Sequence, residues 1–297
     1  MTPQEQQLDA YLNQLKAMGL TDEMIEAYKQ QFAASMNAAS QWNQNISQFT
    51  QNMQQFNELF GDGDGDDDET GGSEITLSDK TTLTPDEQRA VACGADLCML
   101  NDQYLNDLPT GLGKKNCRQL LSQWWDIDGR EEMLETIARL QKTGHRGQFK
   151  IIAQAYTILD AKEGKRYLRE DLAGVMDEDV AVERLRNLRD GLEQFVEDGL
   201  ISSEKKVPDM MVWDFARIIN ISRAGFDAGY LEREEALASI MDAAAKIGAA
   251  YGSWKEMSVA YQFARYVWTG DDTYELMKAN MDVLLSDPKS PWVTIEW

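Results

Sequence analysis

Histidine is almost missing from this 297-residue chain, which has only His145. A site built from two imidazoles of one subunit is therefore excluded, and any Ser-His-Asp or Cys-His mechanism would have to run through that single residue. Cysteine is scarce as well. Cys93, Cys98 and Cys117 are odd in number and lack C-x-x-C spacing, so they read as reduced thiols buried as small hydrophobes in a cytoplasmic setting. Positive charge is the third shortage. With 29 Lys and Arg against 51 Asp and Glu, the formal net charge is -22, and a surface that acidic repels phosphate backbones and anionic headgroups. No nucleic acid and no membrane surface is expected as a partner. No apolar run nears the roughly 20 residues of a membrane helix. The opening MTPQEQQLDAYLNQ has neither the basic start nor the apolar core of a signal peptide. G-x-x-x-x-G-K-[ST], G-x-G-x-x-G and G-x-S-x-G do not occur, so phosphate cradles and nucleophile elbows have no support. No cofactor is expected.

What is present is a core-forming composition, 43% hydrophobic with 9% aromatic residues, long enough for one domain and an appendage. Composition divides the chain into an amphipathic Gln/Asn/Met-rich segment at 1–60, an acidic Gly/Asp linker at 61–83 and a globular part at 84–297. In the first segment a heptad seam reads Ile25, Phe32, Ala39, Ile46, Met53, Phe60, beside Tyr28, Ser35, Trp42, Phe49, Phe56. Uncharged Gln and Asn flank this 25–60 stripe, which specifies a hydrophobic contact without naming the partner. Packing on its own domain, self-association and capture of another protein all fit.

The linker GDGDGDDDETGG sets Asp62, Asp64 and Asp66 on the first three ligand positions of an EF-hand loop. Position six, however, is Asp67 instead of Gly, and position twelve is Ser73 instead of Glu. A solvated, self-repelling linker is the better reading, with those three aspartates as the only calcium candidates.

From Thr84 onward helix signals dominate and predict an all-α fold. Thr84, Pro85 and Glu87 open a helix through about Leu100. Others are expected at about 114–125, from Asp128 with Glu131 to Gly144, then 147–160, 163–173, 177–198, 209–228, 232–251, 253–268 and 272–285. Only 75–77 and 293–295 alternate like strands, enough for a minimal two-stranded β patch at most.

The 209–228 helix carries the densest chemistry. At about 100° per residue, Phe215, Ile218, Ile219, Ile221 and Phe226 gather on one side, with Arg217, Asn220, Arg223 and Asp227 across an arc of about 120° opposite. Trp213, Ala216 and Ala224 lie within that arc. Asp214 can reach Arg217, and Arg223 can reach Asp227, which would make the arginines structural. The sharper alternative is a pocket in which Arg217 and Arg223, with Arg146 or Arg265, bind a carboxylate or phosphate. His145 follows a C-cap glycine in TGHRGQF, a position that faces helix-end carbonyls more often than it catalyses.

Three blocks in order, LLSQWWDIDGREEMLETIARLQKTGHR, WDFARIINISRAGFDAGYLEREEAL and SWKEMSVAYQFARYVW, make roughly residues 88–285 similar to a bacterial family catalogued as domain of unknown function 1266. The resemblance implies a mostly helical cytoplasmic domain with no activity to carry over. It points to Trp125, Gly144, His145, Arg146, Trp213, Asp214, Arg217, Arg223, Gly229, Tyr230, Trp254, Arg265 and Trp268 as motif positions. Two functions are weighed: a non-enzymatic interaction module, inhibitor- or immunity-like toward a basic partner, and an enzyme or sensor for an anionic ligand using Arg217 and Arg223 with His145 and Arg146.

Overall fold

The computed structural model describes residues 74–297 apart from 159, 204, 205, 271 and 272. The 25–60 stripe and Asp62, Asp64 and Asp66 therefore lie outside the described residues. Those described form twelve α-helices and no strand.

The described residues fall into two units, Arg169–Ala181 and residues 74–168 with 182–297. In the first, the stretch Arg169–Ala181 is closed by a two-point ion pair, Arg169 Nε and Nη2 to Glu178 at 2.8 and 2.5 Å. The second unit carries the core and the candidate site.

Local chemistry explains several helix boundaries. In front of α1 (Pro85–Ala92), Thr84 Oγ1 accepts from Glu87 N and Glu87 Oε2 accepts from Thr84 N, the reciprocal capping box expected there. The predicted continuation to Leu100 breaks at Gly94, and α2 (Ala95–Met99) starts afresh. A Cβ at Gly94 would sit 3.0 Å from Ile219 Cγ2, so the glycine marks a close approach between segments. Helix α3 (Gly113–Trp125) ends on Asp126 in the left-handed region, φ 53°. Helix α4 (Arg130–Lys142) starts after Gly129 with no side-chain cap, so the expected Asp128–Glu131 capping pair does not form.

The chain continues through α5 (Arg146–Tyr156), α6 (Ala161–Asp171), α7 (Glu178–Glu197), α8 (Val212–Ala228) and α9 (Arg233–Ala250) to α10 (Trp254–Thr269), α11 (Tyr274–Ser286) and α12 (Pro291–Thr294). Helix α9 opens with a Glu232–Glu235 capping box, and Ser253 caps α10 by accepting from Glu256 N. The expected β patch is absent among the described residues. Ser290 and Pro291 start a helical turn that takes in Val293 and Thr294, while 75–77 is extended and its Thr76 carbonyl accepts from Leu105 N in a loop.

Helix α8 is the axis of the second unit. It packs on α9, α3, α4, α10 and α2, and every residue but Arg217, Phe226 and Asp227 is buried. The two-faced helix expected from the sequence is thus surrounded, polar arc included. Helix α10, buried from Met257 through Trp268, is the other core helix.

Three indoles fasten the end of the chain. Trp292 Nε1 donates to Ala92 O at 2.8 Å, Trp254 Nε1 to Ile295 O at 3.0 Å and Trp297 Nε1 to Tyr251 O at 3.1 Å. The Trp254 and Trp292 rings stack at 5.6 Å and 9°. Trp292→Phe keeps the ring contact and loses one hydrogen bond, so it is expected to cost about 1 kcal/mol. Trp292→Ala is expected to cost about 3–5 kcal/mol. Chemical denaturation of both variants measures this, and equal losses would mean that the indole N–H contributes nothing.

Candidate functional site

Gly144, His145, Arg146 and Asp214 meet where α4 ends, α5 begins and α8 passes. Gly144 turns the chain with φ 51°, a region open to glycine. A Cβ there would lie 2.0 Å from Asp214 Oδ2. That carboxylate, from the first turn of α8, sits at the start of α5. Its Oδ1 accepts from His145 N at 2.8 Å and its Oδ2 from Arg146 N at 3.0 Å. Asp214 thus caps a helix from another part of the chain, occupying the place where a helix N-terminus would hold an anion. Arg146 completes the joint. Its Nη1 donates to Asp214 Oδ2 at 3.0 Å and to Leu140 O at 2.6 Å, and its Nη2 donates to Gln141 O at 2.5 Å, closing the carbonyl end of α4.

Burial alone would raise the pKa of Asp214, but hydrogen bonds from the His145 side chain and from the two amides hold it below the usual carboxylate range. His145 is shifted downward too, toward its neutral form. Burial pulls its pKa down to about 4 against the opposing bond to Asp214, so the ring is neutral near pH 7. Its Nδ1 lies 3.2 Å from Asp214 Oδ1 and 3.2 Å from Arg217 Nη1. With a proton, Nδ1 donates to the carboxylate; without one, it accepts from the guanidinium. The Asp-His contact has the outline of a catalytic dyad, yet the residue is 6% exposed and its ring packs edge-on against Trp268 at 4.9 Å. A reacting group cannot approach it there without opening the core.

Arg217 lies over the rings of Trp213 at 4.4 Å and Trp125 at 5.0 Å. Burial draws its pKa down to about 10, and the tryptophans supply cation-π contact where water is excluded. Trp213, buried, also faces Tyr261 at 5.3 Å. Arg265 is buried, donates from Nε to Thr273 Oγ1 at 2.8 Å and borders a shallow cleft with Gln262, Tyr266 and Thr273. That cleft has room for little more than one water.

The expected Arg223–Asp227 pair does not form. Arg223, fully buried, donates to Leu108 O (3.2 Å), Tyr104 O (2.6 Å) and Pro109 O (3.0 Å), and to Cys98 Sγ (2.9 Å). Asp227 accepts from Thr110 N at 2.8 Å and Thr110 Oγ1 at 2.6 Å. Both residues turn to the irregular segment between α2 and α3, whose inward-facing peptide groups need partners that no helix ladder offers. Tyr230 stands apart from Asp214, beyond the C-cap glycine of α8, with Arg118 over its ring at 5.4 Å.

Sequence reasoning passed over three groups here. Tyr261 lies within the third quoted block and its OH environment is coupled to Arg217 and Arg265. Arg139, on α4, acts on both His145 and Arg217. Asp96, on α2, has no motif around it to announce it. Burial pushes the Cys93 and Cys117 thiols up to about 12 and about 11, so neither is a ready nucleophile. Among the described residues, no group of three or more His, Cys, Asp and Glu is arranged to hold a metal.

Residues 120–297, more than half of the chain, match the model of the family described as Protein of unknown function (DUF1266). The chain belongs to that family. The match starts at Leu120, the first residue of the first block and later than the expected bound of about 88, and it runs to residue 297, so it includes the Trp292 and Trp297 clasp. No curated protein and no solved structure matches the chain. In this DUF1266 chain the T-G-H-R turn and the W-D-F-A-R block are the two halves of one joint, which explains the residue types: glycine for φ and space, aspartate for the anion, arginine for two helix ends. Gly144→Ala adds a left-handed alanine and a collision with a buried carboxylate, and is expected to cost roughly 3 kcal/mol or more. Urea unfolding is the check, and a loss under about 1 kcal/mol would show that Asp214 is not held there.

Proposed function

We propose that this protein works by binding another macromolecule and not by catalysis, in the cytoplasm of a bacterium. The observation that supports this best is that the residues on which chemistry would depend already serve the architecture. His145 is a buried neutral ring against Asp214, and Asp214 and Arg146 close helix ends. The donors of Arg223 are directed at a loop. The net charge of -22 favours a basic partner, reached in solution by electrostatic attraction. The 25–60 stripe offers the apolar contact, either to that partner or to a second copy of this chain. An anionic ligand is the weaker reading, because Arg146 and Arg223, two of the four groups assigned to it, have each guanidinium directed at the protein's own acceptors.

Immobilised full-length protein, washed at low and then high salt after exposure to cell extract, tests the proposal. The expected result is a basic protein released as salt rises, with retention unchanged in Arg217→Ala and lost in Phe32→Ser/Phe49→Ser. Recovery of no partner, or of an acidic one insensitive to salt, would contradict it.

A further inference from the structure

Asp96 is the most deeply buried carboxyl group of the core that the Asp214 joint does not use. It lies on the five-residue helix α2, 2% exposed. Ser258 Oγ of α10 donates to its Oδ1 at 2.7 Å, and Gln262 Nε2 donates to Ser258 Oγ at 3.1 Å. The Gln262 amide is also within hydrogen-bonding reach of the carboxyl. Two neutral side chains are poor compensation for a charge removed from water; Asp214, by contrast, has a guanidinium and two amides.

The groups around Asp96 bring no cation to it. From α10 the titratable neighbour is Tyr261, itself pushed up to about 12 by burial. From α8, Arg223 donates to Cys98 Sγ and to loop carbonyls, and Asn220 reaches Gln103 and Cys98. Arg217 and Arg265 are coupled to Tyr261, while the causes acting on Asp96 are burial, Ser258 and Gln262. From α11, which packs on α2, the buried polar residue is Asn280, which is neutral. Hydrogen-bond accounting points the same way. Gln262 Oε1 is a buried acceptor without a donor, and a proton on Asp96 adds a donor to the cluster.

We infer that Asp96 is a proton-dependent latch: protonated, it lets α2 pack against α10 and α11, and its ionisation loosens that packing. The latch titrates at neutrality, since burial pushes the carboxyl up to about 7 despite the bonds from Ser258 and Gln262. The sign follows from linkage. With the folded pKa above the unfolded value, this group's contribution is complete below about pH 4 and is lost as pH rises toward 7, then stays constant. His145 opposes it over part of that range. Its folded pKa of about 4 lies below the unfolded value, so its contribution grows as pH rises from 4 to about 6.5. The full-length melting curve is therefore a sum of the two, and the variant difference isolates Asp96.

The experiment compares thermal melting of the full-length protein and Asp96→Asn from pH 5 to pH 9. At pH 5 the variant should melt no higher than the parent; by pH 8 it should melt several degrees above it, with the crossover between pH 6 and 7.5. Ser258→Ala, which removes a donor to the charged form, should leave α2 amides protected at pH 5 and increase their hydrogen exchange at pH 8 beyond the parent's. A constant melting difference across the range overturns the latch. So does α2 exchange in the parent, corrected for intrinsic rates, that is the same at pH 5 and pH 8.

Discussion

A carboxylate inside a protein remains an anion only where donors surround it, and Asp214 has two backbone amides and a guanidinium within 3.0 Å. Those donors all belong to the start of α5, and the same guanidinium holds carbonyls at the end of α4, so the charge that α8 carries into the core is also what orders the α4–α5 corner. The turn can be no wider because Gly144 leaves no space for a side chain beside Oδ2. Arg146 adds the opposite charge and takes two carbonyls of α4 with it. The energetic logic is that of a buried pair, in which loss of one partner costs far more than the pair itself contributes.

The same helix repeats the device one end further on. Arg223 and Asp227, three turns past Asp214, are each directed at the segment between α2 and α3 and give its inward peptide groups partners. A central helix with an apolar side and a polar side is usually half exposed; here Asn220 and Arg223 of the polar side are buried, because a loop and not solvent lies across them. This is why Arg146 and Arg223 are poor evidence for a ligand. A guanidinium with its nitrogens on carbonyls is a structural element.

Helix positions were largely legible, because capping boxes at Thr84–Glu87 and the cap at Ser253 are local, and local chemistry survives folding. Boundaries failed where tertiary contact decided them: Gly94 interrupts a helix to admit Ile219, and Pro291 turns an alternating Val-Thr-Ile stretch into a helical turn. The site was half legible. The residue types in T-G-H-R and W-D-F-A-R stood out, but their pairing spans about seventy positions and no periodicity links them. Helical spacing instead suggested the nearby partners, Arg223 with Asp227, and the folded chain prefers distant ones. Asp96 left no trace in the pattern, since a single acid in a short helix looks like any surface aspartate until its burial is known.

Asp214 holds the corner. Amide hydrogen exchange at His145 and Arg146, in the parent and in Asp214→Asn, tests it most directly. An asparagine side chain accepts with one atom and presents N–H groups with the other, so it cannot serve both amides. The account predicts that at least one of the two amides loses protection by about a hundredfold or more, while α9 amides, remote from the corner, keep theirs. Unchanged protection at both amides in a folded Asp214→Asn protein would contradict it.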